Sequence, residues 1–184
     1  MDEPRLTPSP AAAHTAIVRL LQHSGVPFTI HTHEVARTVA DAEARLPFPK
    51  EQFLKTVVFR LKMGGWILVA LQGQDQVDYR RLAAALGVKR GDLIRPPPEE
   101  IEAALGYQIG GVGPIPLGPD TGVLFDEAAL QMATVYCGAG RNDRTLEIGL
   151  ADLIRAVAGQ VAPLARERPG AEPPAPADSG AARS

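Results

Sequence analysis

Two separated segments hold the residue types best suited to chemistry, F-L-K-T-V-V-F at 53–59 and G-Y-Q-I-G-G-V-G-P-I-P-L-G at 106–118. Lys55 opens a run over 55–62 whose apolar members Val57, Val58, Phe59 and Leu61 predict a half-buried strand, so its ammonium starts that strand beside the core. The second segment carries five glycines and two prolines in thirteen residues, a composition that neither a helix nor a regular central strand accepts. It predicts a shaped loop whose backbone N–H groups can approach a ligand with no side chain intervening. A lysine nearby can hold a phosphate, a carboxylate or a polarised carbonyl. The plainer readings are a solvated strand-end lysine and an awkward connection.

H-T-H at 31–33 puts His31 and His33 on one face of a strand, with Glu34 adjacent. A metal reading lacks an evident third ligand, which leaves surface imidazoles or, for His33, a neutral ring that exchanges hydrogen bonds with a small substrate. Cys137 reads as a small buried hydrophobe rather than a nucleophile. No spacing supports a Ser-His-Asp triad, a Walker loop or a dinucleotide fingerprint.

These residues must be positioned by a chain of 184 residues, about one domain, with enough apolar content to bury a core without disulfides or metal. A net charge of −2 provides no global cationic field for sequence-independent nucleic-acid binding, so an RNA partner must be gripped locally and DNA is not expected. The single cysteine excludes an intramolecular disulfide and points to the cytoplasm. Neither a signal peptide nor a span of ~20 apolar residues is present, so no membrane partner is expected.

Prolines in M-D-E-P-R-L-T-P-S-P predict a flexible leader over 1–10, and the Pro/Ala-rich composition of 161–184 predicts a disordered tail, leaving 11–160 as the folded domain. Ala16, Ile17, Leu20 and Leu21 mark a first helix that stops at Gly25. F-T-I-H-T-H follows as a strand, and Thr38 caps a second helix with Val39, Ala42 and Leu46 inward. The strand over 55–62 and that over 66–71 flank M-G-G and predict an antiparallel hairpin. Two short helices follow, one from Asp78 to Gly87 and one from Pro97 and Pro98 to Gly106. Three strand-like pieces and a helix over 151–158 complete the chain. The fold class is α+β, with a mixed, largely antiparallel sheet flanked by short helices.

Taken in order, F-T-I-H-T-H-E, L-K-T-V-V, L-A-A-A-L-G-V, G-G-V-G-P and T-V-Y-C-G-A-G-R-N-D-R-T-L-E-I-G-L-A-D-L resemble the YbaK/ProX family of trans-editing aminoacyl-tRNA deacylases. That family is similar to the editing domain inserted in bacterial prolyl-tRNA synthetase, and the likeness spans about residues 14–158. It implies a single domain around a curved mixed sheet and hydrolysis of the ester joining a wrong amino acid to the terminal adenosine of tRNA. It carries the family's lysine onto Lys55 and the G-x-x-x-P loop onto Gly110 to Pro114, with Gly111 beside the first glycine. Lys55, Gly110 and Gly111 are thereby implied as catalytic, and His33, Thr56, Gly113, Pro114 and Glu147 as substrate-binding. Two positions depart from the pattern: His33 stands where the cysteine-specific branch often has Tyr, and Glu147 where an Asp is found. Both fall where the aminoacyl pocket is expected and so bear on which amino acid is removed.

An aminoacyl ester is already activated, so the residue inventory needs only to hold the carbonyl, stabilise the oxyanion and position water. The resemblance implies neither cofactor nor metal, with a ribose hydroxyl of the substrate assisting the water. The expected substrate is tRNA(Pro) carrying Ala, Ser, Cys or 2-aminobutyrate, and the expected protein partner is prolyl-tRNA synthetase. Arg60, Lys62, Arg80, Arg81, Lys89 and Arg90 are candidates for acceptor-stem phosphates or, more plainly, solvated charge. Two other functions compete: a non-catalytic module that binds an aminoacylated RNA end or nucleotide, and a metal-dependent hydrolase built on His31 and His33.

Overall fold

The computed structural model describes residues 9–36, 41, 44, 46–118 and 120–167. Helix α1, Pro10–His23, begins where Ser9 Oγ accepts the Ala12 N–H at 3.2 Å and proline occupies the first turn. It buries Ala13, Ile17 and Leu21 along one stripe and gives way to Gly25 at φ 66°. Strand β1, Phe28–Thr32, then enters a small antiparallel sheet ordered β1-β7-β6, where β6 is Thr134–Gly138 and β7 is Arg144–Gly149.

The larger sheet has the order β4-β2-β3-β5-β8, with β2 at Leu54–Leu61, β3 at Trp66–Gln72, β4 at Leu93–Ile94, β5 at Thr121–Asp126 and β8 at Gln160–Ala162. The expected M-G-G hairpin joins β2 to β3 antiparallel, from Leu54 opposite Gln72 to Arg60 opposite Trp66, with Gly64 and Gly65 both at positive φ. β3–β5 and β5–β8 are parallel pairs. Helix α2, Tyr79–Leu86, is capped by Asp78 and closed by left-handed Gly87. Helix α3, Pro98–Leu105, starts on proline and closes at left-handed Gly106, and α4 is Leu150–Ala156.

Alternation along β2 and β3 feeds two cores. Leu54, Val58, Leu68 and Ala70 join α1, α3 and the small sheet in one, while Phe59, Val69 and Leu71 pack with Leu82 of α2 in the other. Phe59 is completely buried, and truncating such a side chain to Ala costs about 3–5 kcal/mol.

The α+β class, the hairpin and the caps of α2 and α3 agree with the sequence. The strands, however, form two sheets rather than one, linked by an isolated parallel bridge between Phe53 and Tyr136. The segment expected to be disordered from 161 is also ordered as far as Glu167. β8 adds to the sheet, Leu164 is fully buried, and Asp126 Oδ1 accepts the N–H groups of Leu164 and Ala165 at 2.6 and 2.8 Å. A buried carboxylate and one leucine offset an ordering cost that local composition alone could not. The helix predicted over 151–158 ends at Ala156, and Ala158 takes φ 49°. The leader over 1–8, the tail from Arg168, and Thr38, Val39 and Ala42 of the second predicted helix lie outside the described residues. Among the described residues no helix is long and apolar enough to cross a membrane.

Candidate functional site

The bridge between Phe53 and Tyr136 is where β2 and β6 meet, and beyond it the two strands separate like the arms of a fork. β4 covers the same edge of β2 at Arg60 and Leu61, and among the described residues the stretch between has no partner strand there. The Leu61 N–H turns to Gly65 in the hairpin and the Lys62 N–H to Asp92 beside β4, which fixes the alternation. Thr56 and Val58 therefore direct their N–H and C=O groups into the fork. A cleft of about 370 Å³ fills it. Its lining includes the consecutive residues 54–58, as it must when a cavity runs along a strand's backbone edge.

Lys55 and Thr56 thus lie on one wall. The Thr56 hydroxyl is buried without a hydrogen-bond partner among the described residues, an unsatisfied group whose desolvation costs about 1–3 kcal/mol. The facing wall is Tyr136, Cys137 and Gly138 of β6, together with Gly110 and Val112. Arg95, Pro96 and Pro98 lie toward α3.

His33 and Thr145 contribute the remaining polar surface. His33 Nδ1 lies 2.6 Å from the Glu34 carbonyl, which can only accept, so that nitrogen is assigned the proton. In the neutral ring Nε2 is then the acceptor for the Thr145 hydroxyl at 2.9 Å. Glu147 stands behind the wall. It takes a 2.6 Å hydrogen bond from His31 Nε2 and another from the Tyr136 phenol. Burial, and then the Glu147 charge, hold the Tyr136 phenol above its ordinary pKa, so it stays protonated as a donor. Phe48 stacks on Tyr136 at 4.2 Å and packs against His31 at 4.7 Å.

The glycine-rich connection divides its labour. Residues 108–111 form a turn closed by Gly111 N–H to the Gln108 carbonyl at 2.8 Å, with Gly110 at φ 92° in the position that demands glycine. Gly110 lines the cleft, and among the described residues no carbonyl accepts its N–H. Gly111 has its N–H engaged, and a Cβ there would lie 2.3 Å from the Arg141 carbonyl carbon. A Cβ on Gly113 would stand 2.0 Å from the Gly138 oxygen. Tyr107 spans the connection by donating to the Ile115 carbonyl at 2.6 Å.

Of the residues expected from sequence, the fold brings His33, Lys55, Thr56 and Gly110 into the cleft. Gly111, Gly113, Pro114 and Glu147 do not line it. The first three are buried in the packing that shapes the loop, and Glu147 acts through Tyr136 and His31. Donation by Gly111 to a ligand would require breaking its turn. Tyr136, Thr145 and Arg95 line the cleft without having been anticipated; alternation on β6 and β7 was the available signal for the first two. Cys137 is buried, and burial pushes its thiol up to about 12, which keeps it neutral. His31 and His33 are each engaged by other groups, and among the described residues no three His, Cys, Asp or Glu side chains gather as a metal site.

Comparison with known proteins supplies an independent measure. A proline–tRNA ligase of Exiguobacterium sibiricum is 31% identical over 114 residues, covering 62% of this chain and 19% of the ligase. EbsC of Enterococcus faecalis, named as a candidate Cys-tRNA(Pro)/Cys-tRNA(Cys) deacylase, is 25% identical over 154 residues, covering 80% of this chain and 91% of that protein. The chain spans about a fifth of the length of the ligases it matches. Two solved structures share the fold. The hypothetical protein APE2540 superposes with a TM-score of 0.74 at 24% identity, covering 82% of this chain and 99% of its own. A protein described as a candidate trans-editing enzyme for prolyl tRNA synthetase superposes with a TM-score of 0.70 at 20% identity, covering 91% and 100%. The aminoacyl-tRNA editing domain family matches residues 33–156, which include the strand, the glycine connection and the fork between the sheets. The chain belongs to the aminoacyl-tRNA editing domain family.

Proposed function

We propose that this protein is a trans-editing hydrolase that cleaves the ester of a small, wrongly attached amino acid from tRNA(Pro) in the cytoplasm, with prolyl-tRNA synthetase as a partner. The observation that carries the reading is the convergence of Lys55, Thr56 and the Gly110 backbone on a cleft bounded by a strand edge that, among the described residues, no strand pairs. The Lys55 ammonium orients the substrate carbonyl or the terminal nucleotide. The Gly110 N–H is placed as a donor to the oxyanion that develops as water attacks. Removing one such donor typically costs about 10²–10³ in rate. The His33 ring and the Thr145 hydroxyl shape the aminoacyl end, with Glu147 holding the Tyr136 wall. The inert Cys137 thiol takes no nucleophilic role, and a ribose hydroxyl of the substrate assists the water.

An apolar cleft sorts amino acids weakly, since one methylene is worth about 1–3 kcal/mol, so the unsatisfied Thr56 hydroxyl and the RNA itself add to selectivity. The test is deacylation of tRNA(Pro) charged separately with Ala, Ser, Cys, 2-aminobutyrate, Thr and Pro, under chelation, by wild type and Lys55→Ala. Selective release of one wrong amino acid, lost in the variant, is expected. Binding without release in single turnover would instead establish a non-catalytic module, and release that chelation abolishes would establish a metal-dependent hydrolase.

A further inference from the structure

Five arginines of this surface are neutralised by a neighbouring carboxylate. Arg60 Nε lies 2.8 Å from Glu100, an ion pair without hydrogen-bond alignment, Arg81 is tied to Glu167 and the Ala165 carbonyl, Arg141 and Arg144 share Asp143, and Arg155 pairs with Asp152. Lys62, Lys89, Arg90 and Arg95 are exposed, and among the described residues none of them has a carboxylate within ion-pair distance. These four occupy one corner. The Lys62 N–H donates to the Asp92 carbonyl at 2.9 Å, the Asp92 N–H to the Lys89 carbonyl at 2.9 Å, and Arg95 follows directly on β4. Asp92 is the acidic residue within this run, and its carboxylate accepts the Lys89 backbone N–H at 3.1 Å. The Arg95 guanidinium sits 5.2 Å from the Phe59 ring centre, and Arg95 also lines the cleft. The corner is therefore continuous with the site.

We propose that Arg95, Arg90, Lys89 and Lys62 form a phosphate track that carries the acceptor-stem backbone of the substrate RNA away from the cleft. The inference rests on the proposed function for the identity of the substrate and adds where its RNA lies. In a chain of net charge −2, four unneutralised cations beside the cleft give a local positive field where no global one exists. Phosphate contacts of this kind fix register and orientation without reading bases. Arg60 and Arg81, already paired, are excluded from the track.

The test separates the track from the chemistry by measuring RNA binding directly. A fluorescent, uncharged acceptor-stem hairpin ending in CCA is titrated by anisotropy at several salt concentrations, using wild type, the triple variant Lys62→Gln/Lys89→Gln/Arg90→Gln, and Arg19→Gln on the exposed face of α1 as control. The triple variant should bind about 10-fold or more weaker at low salt, with a log–log salt slope shallower by about 2–3, as expected for three lost phosphate contacts. The control should match wild type. The triple variant should also release amino acid from a charged CCA trinucleotide as wild type does, because that substrate has no stem to follow the track. Should the three exposed changes compromise folding, the single reversal Arg90→Glu serves with the same readout. Binding by the triple variant within twofold of wild type and at the same slope, salt-insensitive binding by wild type, or an equal loss in the Arg19 control would each overturn the track. Normal hairpin binding with no ester cleaved anywhere in the panel would instead overturn the proposed function.

Discussion

The two walls of the cleft are made in opposite ways. On β2 the side chains alternate between two cores, Val58 to one and Phe59 to the other, while the Thr56 backbone faces the fork. On the glycine wall the absence of side chains is what matters, because backbone lies directly on backbone where Gly113 meets Gly138 and Gly111 meets Arg141. The strand is held by side-chain burial and by its pairing with β3, so its functional side-chain atoms can change while the fold persists. The loop is held by contacts that any Cβ would violate, so its chemistry and its stability cannot be varied separately.

That contrast breaks first at Gly113. A methyl there would stand 2.0 Å from a backbone oxygen that cannot rotate away, so Gly113→Ala should lower unfolding free energy by more than about 3 kcal/mol in denaturant titrations, and Gly138→Ala should do the same. An Ala variant at either position as stable as wild type would refute the packed-loop account. Lys55→Ala should show the reverse pattern, with deacylation reduced about 10²–10³-fold in single turnover and melting within a degree or two of wild type. Thr56→Val keeps the shape and removes the unsatisfied hydroxyl, so it should raise stability by about 1 kcal/mol while lowering deacylation. A fall in stability would show that the hydroxyl is satisfied in solution.

The smallest effect concerns the turn behind the loop. The Arg141 hydrogen bond, and then the Arg144 and Arg141 charges, hold the Asp143 carboxyl below the ordinary carboxylate range. A lowered folded-state pKa contributes stability that is present above the unfolded carboxylate value and lost as pH falls through the folded one. Asp143→Asn should therefore cost about 0.5 kcal/mol at neutral pH, and the gap from wild type should close in thermal melts as the medium is acidified below about pH 4.

Which parts were legible in the sequence follows the same division. The β2–β3 hairpin, Asp78 as a cap, and Gly87 and Gly106 as stops are local signals that act over a few residues, and each appears where expected. The roles of individual glycines were not legible. Gly110, Gly111 and Gly113 look alike in the chain, and only the approach of residues 138–141 separates the one that faces the cleft from the two that are packed. The ordering of Leu164 likewise depends on Asp126, 38 residues earlier, and the division into two sheets depends on where β2 and β6 part. Lys55 is marked by its charge at the start of an alternating strand and His33 by the H-T-H spacing, whereas Thr56 enters only through the family resemblance. Tyr136 and Thr145 lie on β6 and β7, and an aromatic and a threonine on a strand carry no charge to mark them.

The aromatic wedge at the bridge has a consequence for how such a protein could change its diet. Phe48, Tyr136, Phe53 and His31 sit in the crotch of the fork, with ring centres 4.2 to 6.3 Å apart. The bore of the cleft is thus set by an angle as much as by a lining: a thicker or thinner wedge would alter how far the two sheets splay. Aperture can be retuned from the apex, leaving Lys55 and Gly110 chemically untouched, much as a compass is set at its joint and not at its points.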